Sequence, residues 1–149
     1  MNSPTREEVA VALFALLKVV PGINYSSRRP ALWDNSVAMP ALYMGNPEEN
    51  YVYPNGTATP PMITLDFDIF LYINAGQDPN VTPDTQMNTL LDAIELAVAG
   101  PGANAFVQTL GGVVNHVWID GPIHRAPGYL NGQGMALFTL RALVPWGGP

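Results

Sequence analysis

Between Met62 and Ala75, apolar and polar positions alternate without interruption. Ile63, Leu65, Phe67, Ile69, Leu71 and Ile73 fall on one side of an extended chain, and Thr64, Asp66, Asp68, Phe70, Tyr72 and Asn74 on the other. The period predicts a long central β-strand, spanning about 40 Å at roughly 3.3 Å per residue. Its continuously apolar side must lie against helices. The other side begins polar, at Asp66 and Asp68, and ends aromatic, at Phe70 and Tyr72. An aromatic patch there predicts a second contact, such as a neighbouring subunit.

The flanking pattern predicts five more elements. Thr5 answered by Glu8 forms a helix-start signal and Pro21-Gly22 a stop, so a first helix is expected over about residues 5 to 20. Val9, Leu13, Leu16, Leu17 and Val20 form its core stripe. Val11 and Phe14 are apolar on the expected wet side and become candidate subunit contacts. Residues 22 to 36 lack a period and carry Arg28, Arg29 and Trp33: either Trp33 caps the core edge with the arginines solvated, or the loop reaches a partner. A short strand is expected over Ala41 to Gly45, with Pro40 confining it to an edge or a strand start. The turn-formers of residues 46 to 61 surround Tyr51-Val52-Tyr53, an extended hairpin arm or loop whose two tyrosines either cover the sheet edge or meet another subunit.

After the long strand, Thr82-Pro83-Asp84 signals a second helix running to Ala99, with Met87, Leu90, Leu91, Ile94 and Val98 inward. Residues 113 to 120 read as a third strand. A turn-rich, mobile loop follows, and then a fourth strand with Ala136, Phe138, Leu140, Ala142 and Val144 inward and Thr139 and Arg141 outward. The order α-β-β-α-β-β predicts one α+β domain over residues 1–149, with a mainly antiparallel four-stranded sheet and both helices on one face.

Composition changes this picture in one respect. Only 12% of residues are charged, against about 25% in a typical chain, so the surface must include much apolar or neutral area that an assembly can bury. The net charge of -6 and the six Lys and Arg leave no electrostatic footprint for sequence-specific DNA binding or for docking on an anionic membrane. With no cysteine there are no disulfides, thiolate ligands or thiol nucleophiles. The N-terminal apolar run opens on Glu7 and Glu8 and lacks a cleavage pattern, so it does not read as a signal peptide, and Val9 to Leu17 is too short to span a bilayer.

Candidate chemistry is sparse. Asp66 and Asp68 share a strand face, a spacing suited to paired carboxylates, but a charge pair with Arg141, across the sheet or between subunits, accounts for them more simply. His116, Asp120 and His124 have a spacing in which a metal can be imagined, although Gly121-Pro122 interrupts it. No P-loop, serine elbow or H-E-x-x-H pattern occurs.

Taken together, the early helix, the PALYMG strand with its polar excursion, ITLDFDIFLYINAG, TLLDAIELAV, TLGGVVNHVWIDG and NGQGMALFTLRALVP resemble the tail terminator (tail completion) proteins of long-tailed phages over nearly the whole chain. The resemblance implies a non-enzymatic virion subunit without cofactor, assembled in the host cytoplasm. It implies a ring, a hexamer, that caps the tail tube, ends its polymerisation and docks a head-completion or connector protein while DNA passes through without base-specific contact. The insert at residues 46 to 61 fits a neighbouring neck, connector or tube protein as well. The face around Asp66, Asp68 and His116 leaves open a small-ligand-binding module.

Overall fold

The computed structural model describes residues 3–36, 38–53, 62–100 and 107–145. The predicted tip of the 46 to 61 arm, residues 54–61, lies outside them. The chain runs α1 (Arg6–Leu17), β1 (Tyr25–Ser27), a 3-10 turn (Trp33–Asn35), β2 (Ala41–Val52), β3 (Met62–Asn74), α2 (Pro83–Val98), β4 (His116–Ala126) and β5 (Gln133–Pro145). It is an α+β fold whose described strands form a mixed five-stranded sheet in the order β1-β2-β3-β5-β4.

β3 is the centre of the sheet, as its alternation predicts. It pairs antiparallel with β2 on one side and with β5 along its full length on the other. All six odd-numbered apolar residues from Ile63 to Ile73 are buried, Phe67 and Leu65 completely. They share one core with Val9, Leu13 and Leu17 of α1, with Met87, Leu90, Ile94 and Val98 of α2, and with the even-numbered residues of β5. α1 begins on the predicted capping box: the Glu8 backbone N–H donates to Thr5 Oγ1, and the Thr5 N–H donates to Glu8 Oε2 at 2.6 Å. The helix stops at Leu17, three residues early. Its buried side includes Ala10, while Leu16 is half-buried. At α2, Pro83 occupies the first turn, but the Thr82 hydroxyl makes no capping bond.

The sheet departs from the four-stranded expectation in three places. β1 is a fifth strand of three residues, parallel to β2, too short and too polar to leave a period in the sequence. β2 runs to Val52 rather than stopping at Gly45, because a register shift between Gly45 and Glu48 lets it pass Pro47. β4 likewise begins at His116 and continues to Ala126, through Gly121 and Pro122, with a shift between Asp120 and His124. Gly121 has φ +76°, a conformation that a side chain would oppose. Pro122 is tolerated because β4 is an edge strand, so its missing N–H costs no ladder bond. The expected long loop therefore shrinks to residues 127–132.

Phe67→Ala empties the centre of this core and should lower stability by about 3–5 kcal/mol. Thr5→Ala removes the helix cap at about 1 kcal/mol. Urea unfolding of the two variants should rank them in that order.

Candidate functional site

The surface most open to function is the side of the sheet away from the helices. Residues opposite one another in a β-ladder project to the same side, so the register arranges the even-numbered face of β3 in rows. Tyr72 lies between Ala41 and Met135, Phe70 between Tyr43 and Leu137, Asp68 between Gly45 and Thr139, and Asp66 between Glu48 and Arg141. β4 adds His124 beside Leu137, Asp120 beside Thr139 and Trp118 beside Arg141. Along β3 this face grades from aromatic, through aliphatic, to charged.

The aromatic end is covered by the chain itself. Residues 31 to 36 lie over it, tied by the Trp33 indole N–H to the Ile73 carbonyl at 2.9 Å, by the Tyr72 hydroxyl donating to the Ala31 carbonyl at 2.7 Å, and by Ser36 Oγ against the Tyr43 hydroxyl at 2.9 Å. Tyr72 keeps 6% of its surface exposed, so the expectation that it meets another subunit is corrected. The reason is a segment without hydrophobic period folding back over the sheet. Burial and the neighbouring Tyr43 push the Tyr72 phenol above its ordinary pKa. Trp33 serves this internal cover rather than a contact arm.

Cover stops on the β5 side of these rows. Phe70 is half-buried, and Met135 and Leu137 are 39% and 37% exposed, forming an apolar strip on the open face. The alternation of β5 places these two outward, on the same side as Thr139 and Arg141.

The charged end is a closed network. Arg141 grips Asp66 with two bonds, Nε to Oδ1 at 2.7 Å and Nη2 to Oδ2 at 3.0 Å, and its Nη1 lies 3.0 Å from Asp120 Oδ2. The hydrogen bond to Asp66 holds the guanidinium still more firmly protonated. Asp68 accepts from the Thr139 hydroxyl at 3.1 Å. The pairing expected from Asp66, Asp68 and Arg141 therefore lies within one sheet and one protomer, not between sheets or subunits. Both Asp66 oxygens are occupied, which engages the carboxylate in joining strands.

The imagined metal set does not come together. Asp120 is drawn to Arg141, His116 stacks on Trp118 with ring centroids 5.2 Å apart and accepts the Gln108 N–H through Nδ1, and the β4 register shift separates Asp120 from His124. Among the described residues no three His, Asp or Glu cluster closely enough to hold a metal ion. Gln108, buried and bonded to the carbonyl of Ala99 and the N–H of Leu110, tethers the segment before β4 to the end of α2, and nothing in its sequence setting signalled that role.

The remaining candidates are scattered. Arg28 pairs with Glu7 of α1, and its Nη2 donates to Glu7 Oε2 at 3.1 Å, whereas Arg29 is exposed. Phe14 is half-buried and packs on the flank of the main core, so it is not left on the wet side as expected. Val11, Tyr51 and Tyr53 are exposed. Tyr51 sits on the helix-side face of β2, near Glu49, which Arg6 grips through bonds of 2.6 and 2.8 Å. Among the described residues no helix is long and apolar enough to cross a membrane. No known family model matches the chain, and no curated protein matches it.

Two measurements follow from these contacts. Asp66→Ala strands the Arg141 guanidinium against Asp120 alone and should cost about 1.5–3 kcal/mol in chemical unfolding, the usual worth of hydrogen bonds to a charged group. Arg6 and Arg28 hold the Glu49 and Glu7 carboxyls below their ordinary value of 4.5. Depressed carboxyls stabilise the fold above the unfolded pKa, and that contribution is lost as pH falls through the folded one. Arg6→Ala should therefore lower stability at neutral pH by about 0.2–1 kcal/mol, and the difference should fade as pH drops below the ordinary carboxyl value and Glu49 becomes protonated, read as Tm against pH.

Proposed function

We propose that this chain is a structural subunit of a phage tail, the tail terminator. It forms a ring, a hexamer, on the head-proximal end of the tail tube, stops tube growth and offers the surface that a head-completion or connector protein docks on. The observation that carries this reading is the apolar strip of Met135 and Leu137, each more than a third exposed, with half-buried Phe70 beside them, on the face of the sheet opposite the core. Three adjacent large apolar side chains on a chain with so few charges fit a surface that other subunits cover.

The electrostatics support the same reading. Among the described residues, Arg6, Arg28, Arg125 and Arg141 all sit in ion pairs, so few cations remain to hold passing DNA. With a net charge of -6, a ring of such subunits lets the duplex slide without base contacts. The subunit assembles in the host cytoplasm and ends in the virion.

Tails assembled with and without the protein should differ in electron micrographs. Without it they grow beyond their regulated length and fail to join heads; tails of normal length in its absence would refute the terminator role. Leu137→Asp puts a charge on this strip, so length control should be lost while the variant still folds by circular dichroism, at a cost of about 1–2 kcal/mol in stability because Leu137 is only 37% exposed and packs beside Phe70.

A further inference from the structure

We propose that the solvent-facing stripe of α1 is a self-complementary docking surface, on which α1 of a second copy lies antiparallel across a two-fold axis at the height of Leu13. The stripe consists of Glu8, Val11, Ala15 and Lys18, all exposed, with Val11 at 52%. At about 100° per residue the four fall within an arc of about 80°. Along the helix they read acid, apolar, small, base. A two-fold contact requires that residue i meet j wherever j meets i. Reversing α1 about Leu13 satisfies this for both pairs at once: Glu8 faces the partner's Lys18, and Val11 faces the partner's Ala15. A parallel pair would instead set acid against acid and base against base, so the charges select the antiparallel one.

The charges that do the selecting are free to act between copies. Arg6 and Arg28, near the start of α1, are already paired with Glu49 and Glu7. Among the described residues Glu8 and Lys18 enter no ion pair. The Thr5 N–H occupies Glu8 Oε2, which leaves Oε1 for a cation. At the centre, Ala15 presents only a methyl group, so the two helices can come close, and their opposed dipoles add to the attraction. The same reversal fills a neighbouring groove of about 630 Å³, which runs between α1 and Gly112-Val113 and is bordered by Pro4, Thr5 and Ala12. Val19 is 70% exposed and lies on the Ala12 flank of the stripe. A two-fold reverses height and keeps the flank, so the partner's Val19 arrives over the groove. This surface is on the helix side of the sheet, opposite the strip of Phe70, Met135 and Leu137, and the pairing does not rest on the ring reading.

The Leu137→Asp chain is the background for the test, since it disables the strip and leaves the helix contact to be read alone. Sedimentation equilibrium should show it passing from monomer to dimer with concentration. Adding Lys18→Glu sets acid against acid at both ends and should weaken the dimer about tenfold or more, with unchanged circular dichroism. Adding Glu8→Lys sets base against base, with the same result. Mixed together, the two variants again oppose Glu and Lys at each end, so a heterodimer should form. The chain has no cysteine, which allows a second readout that keeps both charges. Val11→Cys and Ala15→Cys chains, mixed and mildly oxidised, should cross-link to each other faster than either does alone. A background chain that stays monomeric, charge variants that dimerise as well as their parent, a mixture without heterodimer, or cysteine variants that cross-link no faster when mixed each overturn the pairing. The ring reading is judged separately, by tail length.

Discussion

Complete cover of one face of β3 is the constraint from which the rest of the architecture follows. Six large apolar side chains on thirteen residues of strand need shelter along the whole length, and neither helix alone is long enough to give it. α1 and α2 together do, joined to the sheet through a single core. The neighbouring strands must then match β3 in length, and β2 and β5, at twelve and thirteen residues, do so. β2 and β4 pass their prolines by bulging instead of ending, so the ladder around β3 continues.

The opposite face obeys a different rule, since nothing in the fold is large enough to cover it whole. Residues 31 to 36 seal the aromatic end with hydrogen bonds to backbone carbonyls, and the other end neutralises its own charges through Arg141. The Asp66 to Arg141 pair also fixes register. A slip of one residue between β3 and β5 would turn one of the two groups toward the helices, where an ionised side chain has no partner. Between these two solutions remains the strip of Phe70, Met135 and Leu137, which neither treatment reaches.

Much of this was legible from residue pattern, and what was not has identifiable causes. Both helices, the extent of β3, the inward set of β5 and the opposition of Asp66 and Arg141 all follow from periods of 3.6 or 2 that burial enforces. β1 was hidden because three polar residues pair through backbone alone. The continuations of β2 and β4 were hidden because proline and glycine signal turns locally, and only sheet position reveals that an edge accepts them. The cover over Tyr72 was hidden, and Trp33 was left between two readings, for a related reason. A non-periodic segment says nothing in advance about which surface it folds back upon, and the packing of Phe14 depended on where α1 came to rest.

The outer margin of β2 beyond β1 has a consequence for how folded copies of the chain meet one another. Among the described residues, β1 accompanies β2 only as far as Tyr43, leaving the backbone from Asn46 to Val52 without a strand on its outer side. That margin carries Pro47, Glu48 and Glu49, and the opposite margin, β4, carries Pro122 and Arg125. The prolines' missing donors and the charged side chains along them make both borders poor templates for another strand. Both borders therefore resist edge-to-edge pairing between copies, which keeps the folded chain from seeding fibrils at high concentration.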